Sequence, residues 1–392
     1  MKRREFIIGS SALMASNVFG QDGIKAKYRV GVIGHTGRGN YGHGLDKVWL
    51  SVPQAEIAGV ADPVEKGLAS AQKRLKTDKG FSDYKKMLEA VKPDIVAVAP
   101  RHVDQHFDML SAAINFGAKG IYVEKPFVRS PEEADKILKL AKSANCKIAV
   151  AHRNRYHPVL HTVKKLISEG AIGKVLEYRG RGVGDKRGGC VDLWVLGSHI
   201  FNLMQFFGGK ARTCSSMIMQ DNEVADLKNL REGEEGLGKI VGNRIHARYV
   251  LENGAIADYN TIAEDGTNRK GYVLEIIGSG GIFKFHIDRN PLVTVMLGNP
   301  YESALTQYKT YTVSSAGIDK PEPIHDLHKN IANHVTPAID LIDSVEKNKE
   351  PICNGEEGAQ TVEMICAVFA SHKNGGAPVK LPVESRAHPF GI

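Results

Sequence analysis

Tyr28-Arg29-Val30-Gly31-Val32-Ile33-Gly34-His35-Thr36-Gly37-Arg38-Gly39 is a short β-branched run that ends in a cluster of glycines, and its reading decides the fold. The apolar run predicts a strand, the glycines a tight turn, and the residues after them a helix. In a dinucleotide fold such a turn lets backbone N–H groups approach a pyrophosphate at a helix N-terminus, where the macrodipole favours an anion. The G-x-G-x-x-G spacing is filled by Gly34, Thr36 and Gly39, with Thr36 at the second glycine and Gly37 beside it as a substitute. Gly34, Thr36, Gly37, Arg38 and Gly39 are therefore the expected phosphate-side residues. An ordinary glycine-rich turn looks the same in isolation, so context has to decide.

The context is a run of strands and helices in alternation. A second strand, Glu56–Ala61, ends in Asp62, placed where a carboxylate would accept bonds from the adenosine ribose and repel a 2′-phosphate, favouring NAD over NADP. The same residue also reads as a cap on the next helix. Helices are expected at Val64–Leu75, Tyr84–Glu89, Gln105–Phe116 and Pro131–Ala144, and strands at Ile95–Ala99, Gly120–Val123 and Lys147–Ala151. This pattern predicts a doubly wound parallel sheet over residues 27–151. Ligands in such sheets lie beyond the carboxyl ends of the strands. That singles out Pro100-Arg101-His102, Glu124-Lys125-Pro126 and Arg153-Asn154-Arg155-Tyr156-His157.

With 392 residues, 42% of them hydrophobic and 24% charged, the chain is long enough for two domains, the second over residues 152–392. Its formal charge of +8 is spread, with Lys and Glu interleaved in segments such as Ser130–Lys142 and Asp343–Glu350. Solvated helix faces look like this, and a nucleic-acid partner is not expected. Beyond the first 20 residues no apolar run reaches the roughly 18 needed to cross a bilayer, so no membrane partner is expected either. Cys146, Cys190, Cys214, Cys353 and Cys366 are far apart and form no CxxC pair, which reads as buried free thiols. His102 and His106 have the spacing of a metal pair but no evident third ligand, so no metal is expected. There is no G-x-S-x-G elbow for serine hydrolase chemistry.

Met1–Gly20 has a basic start (Lys2, Arg3, Arg4), a modestly apolar stretch from Phe6 to Phe19 and small residues before Gln21, the build of an export signal. Arg3-Arg4 followed by Glu5, Phe6, Ile7 and Ile8 resembles the twin-arginine motif. Periplasmic or similar export is the expectation, and a cytoplasmic location follows if this segment is only a basic tail.

The run Tyr122-Val123-Glu124-Lys125-Pro126-Phe127, set after a glycine-turn nucleotide fold and before a large second domain, resembles the Gfo/Idh/MocA family. So do Gly271–Gly278 followed by Gly280-Gly281, and the closing helix Gly355–Asn374 followed by Val379-Lys380-Leu381-Pro382. The resemblance implies an α/β protein: a Rossmann domain, then an α/β domain with a large, open, mostly antiparallel sheet. The hairpin pattern of Arg248–Asn260, with Glu252-Asn253-Gly254 as its turn, agrees independently. The resemblance also makes Lys125 the residue that exchanges a proton with a substrate hydroxyl, next to a nicotinamide, with Glu124 on the cofactor side. A lysine beside a cationic ring should have a lowered pKa, which suits that role.

Relatives carry D-x-G-x-H-x-x-D in the second domain, where this chain has Val195-Leu196-Gly197-Ser198-His199-Ile200-Phe201-Asn202. His199 keeps its place as an acid, base or hydroxyl donor, while Val195 and Asn202 replace the two carboxylates. Asp192 lies two helical turns before His199 on an expected helix, so it either stands in for the missing carboxylate or caps the helix. By the same resemblance Asn154 lines the cofactor and Arg155, Tyr156 and His157 the substrate. Pro100 and His106 are further cofactor-side candidates, and Arg101 and Arg181 substrate-side ones. The implied activity is NAD(P)-dependent hydride transfer at a hydroxyl carbon of a sugar, polyol or glycoside. A redox-neutral enzyme that keeps its NAD bound, and a non-catalytic sugar- or nucleotide-binding homologue, stand as alternatives. A homo-oligomer is the expected assembly.

Overall fold

Residues 27–267, 269–302 and 309–391 are described by the computed structural model, so the segment read as an export signal lies outside the described residues. Six parallel strands, β1 (Tyr28–Ile33), β2 (Ala55–Ala61), β3 (Gly80–Phe81), β4 (Ile95–Val98), β5 (Gly120–Val123) and β6 (Lys147–Val150), form one sheet in the order β3-β2-β1-β4-β5-β6. Their sequences are apolar at successive positions because both faces are buried. Val30, Val32, Ile95, Ala97, Tyr122 and Ala149 feed one core, and Ile33, Val96, Val98, Ile121, Val123, Ile148 and Val150 the other. Helices Glu65–Leu75, Tyr84–Val91, His106–Asn115 and Pro131–Ala144 link the strands. The last starts as its sequence dictates, with Ser130 Oγ accepting from Glu133 N at 3.2 Å and Pro131 in the first turn. Strand β3 was not expected; two residues carry too little periodicity to show.

The helix expected directly after the glycine turn is absent from the described residues. Gly37, Gly39, Gly42 and Gly44 all take positive φ, and so does Asn40, which breaks α-helical geometry; the chain passes through turns into a 3-10 helix, Lys47–Ser51. Tyr41, Leu45, Val48 and Trp49 still bury against the sheet, and the rest of that face is closed by helix Val335–Lys347 through Ala338, Leu341 and Ile342. This helix comes from the stretch assigned to the second domain, yet it packs on the first sheet.

The second sheet has eleven strands among the described residues. From one edge they run Gly317–Ile318, Lys309–Ser314, Val293–Leu297, Gly281–His286, Val273–Gly278, Val175–Arg181, Ile256–Ile262, Arg244–Leu251, Ala211–Gln220 and Val379–Lys380, with Glu223–Val224 paired to Ala211–Gln220. All pairs are antiparallel except Val175–Arg181 with Ile256–Ile262. Helices Gly197–Gly208 and Gly355–Lys373 cover one face. Gly180 permits the close approach: a Cβ there would stand 2.5 Å from Ile200 Cγ2.

The expected helix carrying Asp192 and His199 is two, Cys190–Val195 and Gly197–Gly208, broken at Leu196. The break has a cause in side-chain donors. Lys125 Nζ donates to Val195 O at 3.0 Å and Tyr272 OH to Leu196 O at 2.7 Å, so side chains satisfy the carbonyls at the break. All five cysteines are free and buried.

Candidate active site

Lys125 is the first residue but one beyond β5, and the fold buries it at 5% exposure against the break between the two helices. Its pKa is lowered by burial, against the opposing pull of Glu124, Glu235 and Asp288. Glu124 is buried and saturated. Its Oε1 accepts from His43 N at 3.0 Å and lies 2.6 Å from His43 Nδ1, and Oε2 accepts from Lys125 N at 3.0 Å. Burial pushes the Glu124 carboxyl up, but the His43 hydrogen bond and the charges of His43 and Lys125 hold it well below the usual carboxylate range.

His199 enters from the second domain at the start of helix Gly197–Gly208, 4% exposed, and its ring meets that of His152 edge-on at 5.3 Å. Burial takes its pKa down to about 3, with the Asp288 charge pulling the other way, so it is neutral at pH 7. His152, the second residue past β6, is also kept neutral by burial and lies 3.7 Å from the Cys353 thiol. His334, bonded to Tyr122 OH at 2.6 Å, is a third buried neutral imidazole near Glu124, its pKa lowered to about 4 chiefly by burial.

Asp288 went unnoticed in the sequence. It sits just past strand Gly281–His286, its side chain 27% exposed, and accepts from Arg153 Nε at 2.8 Å and Asn154 Nδ2 at 3.0 Å. Asn154 Oδ1 accepts in return from Asp288 N at 3.2 Å. Asn154 is thus committed to this turn. His152 could have been found by the rule that picked out its neighbours, since it too follows β6; Asp288 gives no local signal, because the fold alone brings it to Arg153.

Other expected site residues are placed elsewhere or differently. Asp192 does not reach toward His199: the break at Leu196 destroys the shared face, and Asp192 Oδ2 accepts instead from Val183 N at 2.9 Å and from Thr261 Oγ1. Nor does it cap its helix, whose N-cap is Gly189. His106 is held between carbonyls, with Nε2 2.7 Å from Pro100 O and Nδ1 2.9 Å from Pro126 O, so it shapes the loops instead of presenting a polar atom. Arg155 lies 4.1 Å over the Phe206 ring and donates to Glu357 at 3.0 Å. Tyr156 is buried with no partner for its hydroxyl among the described residues. His157 faces a different cavity, lined by Asn290, Glu322 and His328. Arg181 is paired with Asp265 and Asn260 on the large sheet.

At the other end of the cleft, the glycine turn folds back on the loop after β4. A Cβ on Gly39 would meet Arg101 N at 2.2 Å, and Arg38 pairs with Asp104 at 2.5 Å. Asp62 is fully buried and its oxygens are taken within the chain: Oδ2 accepts from Thr36 Oγ1 at 2.7 Å and Tyr41 OH at 2.8 Å, and Oδ1 from Val64 N at 3.0 Å. In this arrangement the ribose role read from sequence is not free to operate; the carboxylate clamps Thr36 of the turn and the start of the next helix. Tyr41 in turn lies where a Cβ on Gly34 would be, 2.1 Å from its Cε1.

A dinucleotide fits the turn and the lysine end. Gly37, with φ of +83°, has open space where a side chain would stand. Arg101 Nε, His102 Nδ1, His152 Nε2 and His199 Nδ1 are buried without partners among the described residues, and buried polar atoms left so are costly unless something completes them. At Asp62 the fit is poorer, since no acceptor remains to offer.

Comparison with known proteins agrees with this geometry. Residues 28–152 match a family described as "Oxidoreductase family, NAD-binding Rossmann fold", and residues 164–381 match its "C-terminal alpha/beta domain". A levoglucosan dehydrogenase of Pseudarthrobacter phenanthrenivorans is 25% identical over 291 residues, 66% of this chain and 74% of that one. The scyllo-inositol 2-dehydrogenase (NAD(+)) of Bacillus subtilis is 32% identical over 153 residues, 39% of this chain and 43% of the relative. A solved levoglucosan dehydrogenase, in complex with NADH and levoglucosan, superposes with a TM-score of 0.71 over 90% of this chain and 99% of that one, at 20% identity, which speaks for the fold.

Proposed function

We propose that this chain, which belongs to the Gfo/Idh/MocA family of oxidoreductases, is an NAD-dependent dehydrogenase acting on a hydroxyl carbon of a sugar, polyol or glycoside. The observation that carries the reading is Lys125. Its ammonium is buried at the carboxyl edge of the first sheet with a lowered pKa, and His199 from the second domain, a neutral imidazole, feels its charge. With its pKa lowered, Lys125 in its neutral amine form takes the hydroxyl proton at Nζ as the carbon is oxidised, and as the ammonium gives it back in reduction. His199 Nδ1, which has no partner among the described residues, orients that hydroxyl. The turn at Gly37 and Gly39 would hold NAD, which when bound accepts the hydride from the carbon. Similarity to dehydrogenases of levoglucosan and scyllo-inositol supports the substrate class.

The test is NADH formation by the purified protein with added NAD and a panel of anhydrosugars, inositols, aldoses and glycosides. Reduction with at least one is expected; a panel that neither turns over nor binds overturns the reading. A redox-neutral variant with retained NAD is favoured by the near-complete burial of Lys125 and His199. Its signature is nucleotide that survives purification and turnover without added NAD. Export is supported by Arg3-Arg4 and the apolar stretch behind them, and fractionation of cells making the full chain tests it. The open, charged face of the large sheet, with Arg179, Arg248 and Lys284, supports a homo-oligomer, which light scattering tests.

A further inference from the structure

Cys353 takes no part in the proposed chemistry, yet it is tied into a chain of hydrogen bonds that ends beside His199. The segment leading into helix Gly355–Lys373 is bonded to β6, with Val150 N donating to Cys353 O at 2.9 Å, and this brings the fully buried Cys353 next to His152. Its sulfur lies 3.7 Å from His152 Nδ1 and accepts from Asn202 Nδ2 at 3.6 Å. Asn202 Nδ2 also donates to Glu357 Oε2 at 3.2 Å, and Glu357 Oε1 accepts from Arg155 Nη2 at 3.0 Å. A series of polar side chains therefore runs from Arg155 through Glu357, Asn202 and Cys353 to His152. It stops at His152 Nε2, a buried atom with no partner among the described residues, on a ring set edge-on to that of His199.

A neutral imidazole has one N–H and one bare nitrogen, and the partner of either nitrogen decides which of them carries the hydrogen. Burial keeps His152 neutral and raises the Cys353 thiol well above its usual range, so the sulfur keeps its hydrogen. Two arrangements use that hydrogen. Either Sγ–H donates to His152 Nδ1, or it turns to Glu357 and Nδ1–H donates to the sulfur. The second makes sulfur, a weak acceptor, take N–H groups from both Asn202 and His152. The first gives the good acceptor, Nδ1, a donor and leaves the sulfur one N–H to accept.

We infer that Cys353 is a positioning residue whose thiol donates to His152 Nδ1 and so holds the hydrogen of His152 on Nε2, as a donor to a sugar oxygen near the hydroxyl that His199 orients. This deepens the dehydrogenase reading and rests on it for the identity of the acceptor.

The test uses the whole protein with ¹⁵N-labelled histidine, the His152 signals being assigned by His152→Gln. At pH 7 the ring nitrogen shifts should show Nε2 protonated and Nδ1 bare. In Cys353→Ala, which removes the donor, the Nδ1–H form should become populated; in Cys353→Ser, whose hydroxyl also donates, the Nε2–H form should persist. With the sugar that proves to be turned over, Cys353→Ala should lower kcat about tenfold, the size of one lost hydrogen bond, with KM for NAD unchanged and most of the rate recovered in Cys353→Ser. A thiol that only fills space would leave the tautomer as it is in both variants. Nδ1–H in the wild type overturns the inference and gives the thiol hydrogen to Glu357, a result that needs neither Cys353 variant to fold. A tautomer that survives Cys353→Ala overturns it as well. These spectra need no substrate, so a tautomer that depends on Cys353 in a protein that oxidises no sugar would fault the dehydrogenase reading and leave the thiol's hold on His152 standing.

Discussion

The two ends of the cleft are built on opposite principles. At Asp62 the carboxylate is answered inside the chain: Thr36, Tyr41 and Val64 all donate to it. At the Lys125 end, buried nitrogens of His152 and His199 stand without partners among the described residues, and the ammonium donates to the backbone carbonyl of Val195. A saturated cluster is architecture, because its bonds are already formed. An unsaturated buried one is costly, and a protein that keeps it has left those groups for something that arrives.

The largest effect expected from this contrast is at Lys125. Lys125→Met should lower turnover about 10²–10⁴-fold, the range for a lost general acid or base, with NAD affinity and thermal stability near wild type. Steady-state kinetics and calorimetry check it, and a drop in stability without a drop in kcat would reverse the assignment of this end. At the opposite end Asp62→Ala leaves four donors unanswered, Thr36 N, Thr36 Oγ1, Tyr41 OH and Val64 N. It should cost about 2–4 kcal/mol in urea unfolding, with any loss of NAD affinity following from the disturbed turn. Were NAD affinity to collapse at unchanged stability, Asp62 would be a ribose ligand after all.

Asp192 lies between the two cases, since Oδ2 is bonded while Oδ1 has no partner among the described residues. Burial raises its pKa to about 6. The folded state therefore holds its proton more tightly than the unfolded chain, so this contribution to stability is full below about pH 4 and is lost as the pH rises toward 6. Asp192→Asn should remove that pH dependence. At pH 7 it should match or exceed wild type, on the order of 1–2 kcal/mol, as seen in melts from pH 4 to 7.

The sequence already contained the parallel sheet, because strands buried on both faces read as unbroken apolar runs, and it placed Lys125 at the end of β5 for the same reason. It did not contain the side-chain interactions that decide the second domain's contribution. The helix break at Leu196 is made by Lys125 and Tyr272, which lie far from it in sequence, so Asp192 and His199 could not be known to part company. Asp288 was invisible for the same reason: nothing within the turn after Gly281–His286 says that Arg153 will be there. The helix lost after the glycine turn was a local matter. Four glycines and Asn40 at positive φ outweighed the expectation drawn from the strand–turn–helix pattern.

The helix Val335–Lys347 has a bearing on how the molecule is made. It seals one face of a sheet whose six strands have all been synthesised by Val150, with Gly120 drawn to within 3.0 Å, at a Cβ, of Val345. A nascent chain must therefore carry that apolar face open while all but the last strand of the large sheet emerges from the ribosome. The nucleotide-binding half is early in the gene and late in completion. Cut after Ala151, it should stick to itself or to a chaperone, and it should become soluble when the segment around Val335–Lys347 is supplied in trans.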